Sequence, residues 1–349
     1  MQRTVGFKYN VLRGNAVFAQ LIASPESDAP TLRMNDIGEI KMSLMGSFLP
    51  PPPGVDLLKD EIQPVLIVDG VEYPLGVFIP TTVSEVNDAD VNTMPIEAYD
   101  RSQRLYDTKT ETLIYFASGV NYLDAVKTLL EDAGITTAIE TPTAAVLPDP
   151  RQDWEVGTDY LTIVNQLLSE INYKEIWFNA AGVAVLEPVV IPTAENISHT
   201  LDSSDVKSLM LPSLRRETDL YNAPNVFISI CSNPDKNEPL AATATNDNPA
   251  SPLSIPRRGR RICEVEYVDN IASQEELQAY TDRRRNNSMV RGETLIVQTA
   301  LLPGFGVDEV TALHYNDFSG VCLERGFTMD LRVGGLMTHN LERVVYALE

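Results

Sequence analysis

The sequence predicts an α+β chain, mainly β, in which two β-rich regions flank a small α+β unit. Three observations carry this. Short apolar runs separated by Asn-, Asp-, Gly- and Pro-containing turns fill the first and last thirds. Two stretches of helical periodicity, 121–134 and 159–172, lie together in the middle. At 349 residues the chain exceeds one ordinary core and suffices for two or three domains. The boundaries expected are 1–112, 113–198 and 199–349.

The first third reads as a series of strands. Residues 4–24 (TVGFKYNVLRGNAVFAQLIAS) form two short strands around Arg13-Gly14-Asn15, and 31–48 form a pair broken near Asn35-Asp36. The four prolines at 50–53 lack ladder donors and favour polyproline II, which places them in a rigid exposed loop. Residues 64–80 (PVLIVDGVEYPLGVFIP) hold a strand, the Asp69-Gly70 pair expected of a type I′ turn, and a return strand. Pro74 limits that return strand to an edge, a bulge or an end, and Gly76 permits a close backbone approach. Apolar side chains on both faces imply that both are covered, one by the core and one by a second sheet or another subunit. Residues 91–99 add a strand.

The middle changes period. Leu123, Val126, Leu129 and Leu130 share a helical face that stops at Gly134, and Leu161, Val164, Leu167 and Leu168 repeat it. We read two amphipathic helices of similar length, ahead of an internal duplication. Residues 174–190 then form a hairpin turning near 179–182, with Trp177 and Phe178 on its first strand.

The last third is mainly β with one helix. Strands are expected at 204–213, ending at Pro212, and at 225–230, 240–245, 262–268, 294–301, 309–314, 321–331 and 341–347. The rest of 232–260 is loop, and its RRGRR run at 257–261 is read as an ion-paired contact or loop anchor. Ser273 with Glu276 is a capping box for a helix over 274–287, whose last turn carries Arg283, Arg284 and Arg285.

Charge and motif content narrow the function. The formal net charge is −22, with balances of −8 over 1–100, −8 over 101–200 and −6 over the remainder. An evenly acidic surface repels nucleic-acid phosphate and argues against a grip on DNA, though not against DNA sliding past it. Cys231, Cys263 and Cys322 make no paired-cysteine motif and read as small buried or half-buried side chains. His199, His314 and His339 have no metal-ligand spacing, so neither a metal nor a cofactor is expected. Phosphate-binding glycine loops and nucleophile elbows are missing, and no catalytic residue is assigned. The 49 acidic residues offer so many carboxylate pairs that their number carries no weight. No leader and no membrane span are read, which implies synthesis in a cytoplasm.

The chain resembles the hub proteins of phage tail tips and baseplates, the group spanning contractile baseplate hubs and the tail-associated proteins of siphovirus and Gram-positive prophage tails. The resemblance rests on IKMSLMGSF with the DLL at 56–58, on IQPVLIVDGVEYPLGVF at 62–78, and on 261–347 with SQEELQAY, ETLIVQTALLPGFGVDEVTAL and MTHNLERV. It implies two barrel-like, tube-type domains per chain, at 1–112 and 199–349, with the small α+β unit outside the channel. It also implies a homotrimeric, pseudo-sixfold ring in the virion tail. That ring would join the tail tube or a distal tail protein, the tape-measure protein, and the tip or spike protein, with DNA passing through unbound. Any wall-degrading activity would come from a partner. Tyr73 and Phe78 are the candidate subunit-interface anchors, with a plain core position as the competing place for both, on equal terms for Phe78. The rival readings are a cell-wall enzyme with two converging carboxylates, and a receptor- or carbohydrate-binding module using Trp154 or Trp177.

Overall fold

The computed structural model describes residues 3–25, 29–87, 92–190, 192–218, 221, 223–231, 240–268, 273–290 and 293–344. In chain order the elements begin with β1 (Val5–Arg13), β2 (Ala16–Leu21), β3 (Thr31–Asn35), β4 (Met42–Phe48) and β5 (Glu61–Val68). Next come β6 (Val71–Pro74), β7 (Phe78–Val83), β8 (Val86–Asn87), β9 (Asn92–Asp100), α1 (Ser102–Asp107) and α2 (Tyr122–Asp132). The middle continues with β10 (Ala138–Glu140), α3 (Tyr160–Glu170), β11 (Trp177–Phe178) and β12 (Ala184–Leu186). The later elements are β13 (His199–Asp202), β14 (Met210–Glu217), β15 (Val226–Cys231), β16 (Leu240–Thr245), α4 (Ile255–Arg258) and β17 (Cys263–Val268). The last are α5 (Gln274–Val290), β18 (Thr294–Ala300), β19 (Val310–Tyr315), β20 (Phe318–Asp330) and β21 (Leu336–Arg343). The chain divides into two compact units. The first comprises Met1–Ile191, Ala300–Val307 and Gly326–Met337; the second comprises Pro192–Thr299, Asp308–Arg325 and Thr338–Glu349.

In the first unit the strand order is β2–β1–β5–β7–β9–β4–β3–β20, with β6 also on β5 and β8 on β9. Gly14 and Asn15 both have positive φ, 58° and 67°, so the β1–β2 turn takes the hand that suits a two-residue hairpin. The inward faces of these strands pack Val11, Leu32, Met34, Leu44, Phe48, Ile62, Leu66 and Phe327 into one core. Tyr9 packs edge-on against Phe48 at 5.1 Å and donates its hydroxyl to the Leu331 carbonyl at 3.2 Å.

The expected barrels are not there. Among the described residues no sheet closes on itself: the strand order is an open path with β2 at one end. Closure needs hydrogen-bonded ladders between the first and last strands. Beyond β2 the return to β4 amounts to a single bridge, Ala23 to Phe48, flanked by Ser24 N–H to Ser47 O and Leu49 N–H to Ile22 O. Pro25 follows one side of that bridge and the prolines at 50–53 follow the other. None of them has an N–H with which to extend a ladder.

A second core of the first unit belongs to the middle of the chain. Asn121 caps α2 through Leu123 N–H at 2.9 Å, and Asp159 caps α3 through Thr162 N–H at 2.8 Å. Their apolar faces meet with Leu123, Val126, Leu129, Leu130, Ile163, Val164, Leu167 and Leu168 buried. A small sheet, β10–β12–β11, joins this cluster, and its β11–β12 hairpin turns where the sequence places it. The short helix α1 has no sequence counterpart in our reading; Leu105 is its one buried apolar side chain.

The second unit has the open order β14–β18–β21–β20–β19–β13 and a separate sheet, β16–β15–β17, crossed by α5. Ser273 Oγ accepts from Glu276 N–H at 3.1 Å, as the capping pattern predicts. Arg284 reaches from α5 to Glu264 and Glu266, each at 2.7 Å. The strand expected at 204–213 is displaced: 206–208 is a 3₁₀ turn, and β14 begins at Met210 and runs on through Pro212. Residues 257–258 end the helix α4, with Gly259 at φ 64° as its stop. Arg258 donates to the Ala223 carbonyl at 2.6 Å, the anchoring role expected of that run. The predicted strand at 341–347 is β21, which ends at Arg343; 345–349 lie outside the described residues, as do 232–239 of the predicted loop.

Candidate subunit interface

The 64–80 segment folds as predicted into a tight hairpin followed by a turn-back. Asp69 and Gly70 have φ of 49° and 83°, both in the left-handed region that a type I′ turn demands. Asp69 also accepts from the Thr4 backbone N–H at 2.8 Å and from the Thr4 hydroxyl at 3.1 Å, pinning the turn to the start of the chain. Pro74 ends β6, and Leu75 N–H returns to the Pro64 carbonyl at 2.9 Å. Gly76 has φ 126°, and a Cβ there would lie 2.9 Å from the Phe78 ring, so the close approach expected at this glycine is real.

The two predicted anchors part company. Phe78 is 0% exposed and sits in the first core. Tyr73 is half-buried on β6, packed partly against that core. The second face of the segment is covered in part by the chain itself. Val77 is buried beneath Gly182, where a Cβ would meet Val77 at 2.7 Å, and Gly76 N–H donates to the Ala180 carbonyl at 3.1 Å.

The apolar surface lies on the neighbouring strands. Among the described residues β6 pairs with β5 alone, and its Val71 is 53% exposed. Among the described residues β2 pairs with β1 alone, and Val17, Phe18 and, just past the strand, Ile22 are all exposed, Ile22 by 65%. Arg13 lies over the Phe18 ring at 4.0 Å while its guanidinium clasps Asp60 with two bonds of 2.7 Å. Arg13 holds the Asp60 carboxyl below its usual range, chiefly through those bonds. Edge strands with apolar side chains present unpaired backbone groups and a greasy surface together, a combination suited to another chain. The sequence places the strand β2 here, but its residue types do not show that Val17 and Phe18 stay exposed on its outer side.

Candidates for chemistry are placed as follows. Thr299 Oγ1 lies 3.1 Å from His339 Nε2, and His339 Nδ1 lies 2.7 Å from Glu324 Oε2, which is a hydroxyl–imidazole–carboxylate chain. All three side chains are 0% exposed, so no substrate reaches the hydroxyl. His314 Nδ1 lies 3.0 Å from Ser319 Oγ. Burial pushes the Cys322 thiol up to about 12, which keeps it protonated and unreactive. Cys231 is buried and Cys263 is exposed, against the expectation of cover, and no disulfide joins any of the three. Trp154 is buried with its indole N–H on Gln166 at 2.9 Å, and Trp177 is half-buried, so neither offers an exposed platform. Among the described residues no three His, Cys, Asp or Glu side chains gather as metal ligands, and no helix is long and apolar enough to cross a membrane.

No family model matches the chain, and no curated protein sequence matches it. Solved structures do. The chain is similar to a tail protein from Neisseria meningitidis MC58, at TM-score 0.69 and 12% identity over 98% of both chains. It is similar to the 43 kDa tail protein of prophage MuSo2 from Shewanella oneidensis, at TM-score 0.68 and 10% identity over 97% of this chain and 98% of that one. Prophage tail protein gp18 from Listeria monocytogenes EGD-e follows at TM-score 0.57 and 13% identity, over 98% and 97%. The chain shares the fold of these tail proteins over 97% of its length or more.

Proposed function

We propose that this protein is a structural component of a phage or prophage tail tip or baseplate, working as a trimeric hub ring and not as an enzyme. The observation that carries the reading is the end-to-end likeness to three tail proteins, with neither chain leaving a large part unmatched. In this reading 1–112 and 199–349 supply the ring and 113–198 is carried as a separate lobe with its own core. The ring joins the tail tube or distal tail protein and the end of the tape-measure protein to the tip or spike, in a virion tail assembled from subunits made in the host cytoplasm. DNA passes through its bore without specific binding, and the evenly spread negative charge supports that passage.

Subunits meet through exposed edges. β6 with Val71 and Tyr73, and β2 with Val17 and Phe18, pair with strands or loops of neighbouring chains, and closing the ring removes the open edges. A contact burying about 1,000 Å2 or more is enough for a specific interface.

The test is the mass and symmetry of the purified assembly, by light scattering and particle imaging, alone and after co-expression with the neighbouring tail proteins. A closed threefold particle supports the reading. A strict monomer under both conditions, or turnover of peptidoglycan, sinks it.

A further inference from the structure

A cavity of about 200 Å3 opens in the first unit between the β1–β2 turn, the start of β5, α1 and the segment after α2. Its charged lining is Lys59, Arg101 and Arg104 against a single carboxylate, Glu61. Such a cationic excess is out of character for a chain of net charge −22.

The two arginines are used differently. Arg101 is spent on the protein. Its Nε and Nη2 hold the Glu61 carboxylate at 3.0 and 2.6 Å, its Nη1 holds the Gly182 carbonyl at 2.8 Å, and Nη2 also reaches Asn15. Arg104 makes one bond, from Nη2 to the same carboxylate at 3.1 Å. Its Nε and Nη1 donors have no acceptor among the described residues. Nη1 lies against Gly134, where a Cβ would come within 3.3 Å of it. Glu61 is already shared by two guanidiniums, so this pocket holds no further anion of its own. Lys59 is 3.6 Å from Asp56, with its side chain largely in water. The surplus positive charge with free, directional donors is therefore Arg104. A guanidinium edge presents parallel N–H groups that match a carboxylate or a phosphate.

We infer that this cavity binds a small oxyanion, a carboxylate or a phosphate, with Arg104 as its main donor. Lys59, Thr136 and Thr137 complete the lining. The bound anion ties the β1–β2 turn and α1 to the segment after α2, and stabilises the folded chain by mass action. This does not depend on the assembly proposed above.

The experiment is calorimetric titration and thermal melting of the full chain with citrate, with inorganic phosphate, and with chloride at matched ionic strength. Citrate or phosphate is expected to bind and raise the melting temperature where chloride does not. Binding of citrate alone identifies a carboxylate site, and binding of phosphate alone a phosphate site. Arg104→Gln is expected to weaken binding roughly tenfold or more, the loss of charge-assisted bonds. Lys59→Gln, at a side chain 82% exposed and paired only at 3.6 Å with Asp56, is expected to weaken it by roughly threefold, as for a more distant exposed charge. Circular dichroism checks that each variant is folded, and Lys59→Gln with Thr137→Val carry the test if Arg104→Gln is not. No binding of either oxyanion, or equal binding by the folded variants and the parent chain, overturns the inference.

Discussion

Replacing Phe78 with Ala separates a core residue from an interface anchor. The ring is 0% exposed and is enclosed by the first core, with Gly76 against it. Truncating a buried Phe to Ala costs about 3–5 kcal/mol, because the transfer energy of the ring is lost and the cavity collapses only in part. With a urea slope of about 3 kcal/mol per molar, the unfolding midpoint falls by roughly 1–1.7 M. The two tryptophans allow the loss to be localised. Trp177 packs against the first core and Trp154 belongs to the second, so a Trp154→Phe background leaves a fluorescence probe on the core that Phe78 occupies. Urea unfolding of Phe78→Ala in that background, at a concentration where the chain is monomeric, is the assay. An unchanged midpoint together with loss of assembly would refute the placement of Phe78 in the core and return it to the interface.

Three further outcomes are expected. Gly76→Ala forces a Cβ to within 2.9 Å of the Phe78 ring at φ 126°, and is expected to cost about 1–3 kcal/mol in the same assay. Val71→Asp places a charge on the β6 edge and is expected to abolish the proposed ring by light scattering while shifting the monomer midpoint little, because Val71 is 53% exposed. Arg151→Met removes the cation that pairs with Asp153 at 2.7 Å and Glu170 at 2.7 Å. It is expected to cost about 2 kcal/mol at neutral pH, below the ~3–5 of a fully buried pair because both partners keep some water. Arg151 holds the Asp153 carboxyl below its ordinary value. That contribution is fully present above the unfolded value near ~3.9 and is lost as pH falls through the lowered folded value. The gap between parent and variant in urea melts should therefore narrow below about pH 4.

Local order was legible because its signals are local. Asp69-Gly70 and Gly14-Asn15 specify left-handed turns by residue type, and both hairpins form at them. Asn121, Asp159 and Ser273 announce helix starts through side-chain oxygens that reach the next turn, and α2, α3 and α5 begin there. The short helices α1 and α4 were missed because one or two turns give too few residues for a period to show. Pro212 was read as a stop, yet β14 runs through it at a register irregularity between Met210 and Leu214, where a missing donor is tolerated.

Which side chain faces which neighbour was another matter. Tyr73 and Phe78 are both aromatic residues five positions apart in one apolar run, and nothing in their spacing tells an edge from a core. The difference came from Gly76 turning the chain, which sends Phe78 inward while β6 stays at the margin. Barrel closure likewise depends on whether the ends of a sheet meet, a long-range relation between β2 and β4 that prolines at 25 and 50–53 reduce to one bridge. The Arg101–Glu61–Arg104 cluster joins residues 40 and more positions apart and has no motif at all. Sequence alone therefore determined the β-rich composition, the turns, the caps and the acidic surface, since each is set by residue type and near neighbours. Tertiary structure decided edges, burial and the arginine-lined cavity, because those depend on which distant segments are brought to the same place.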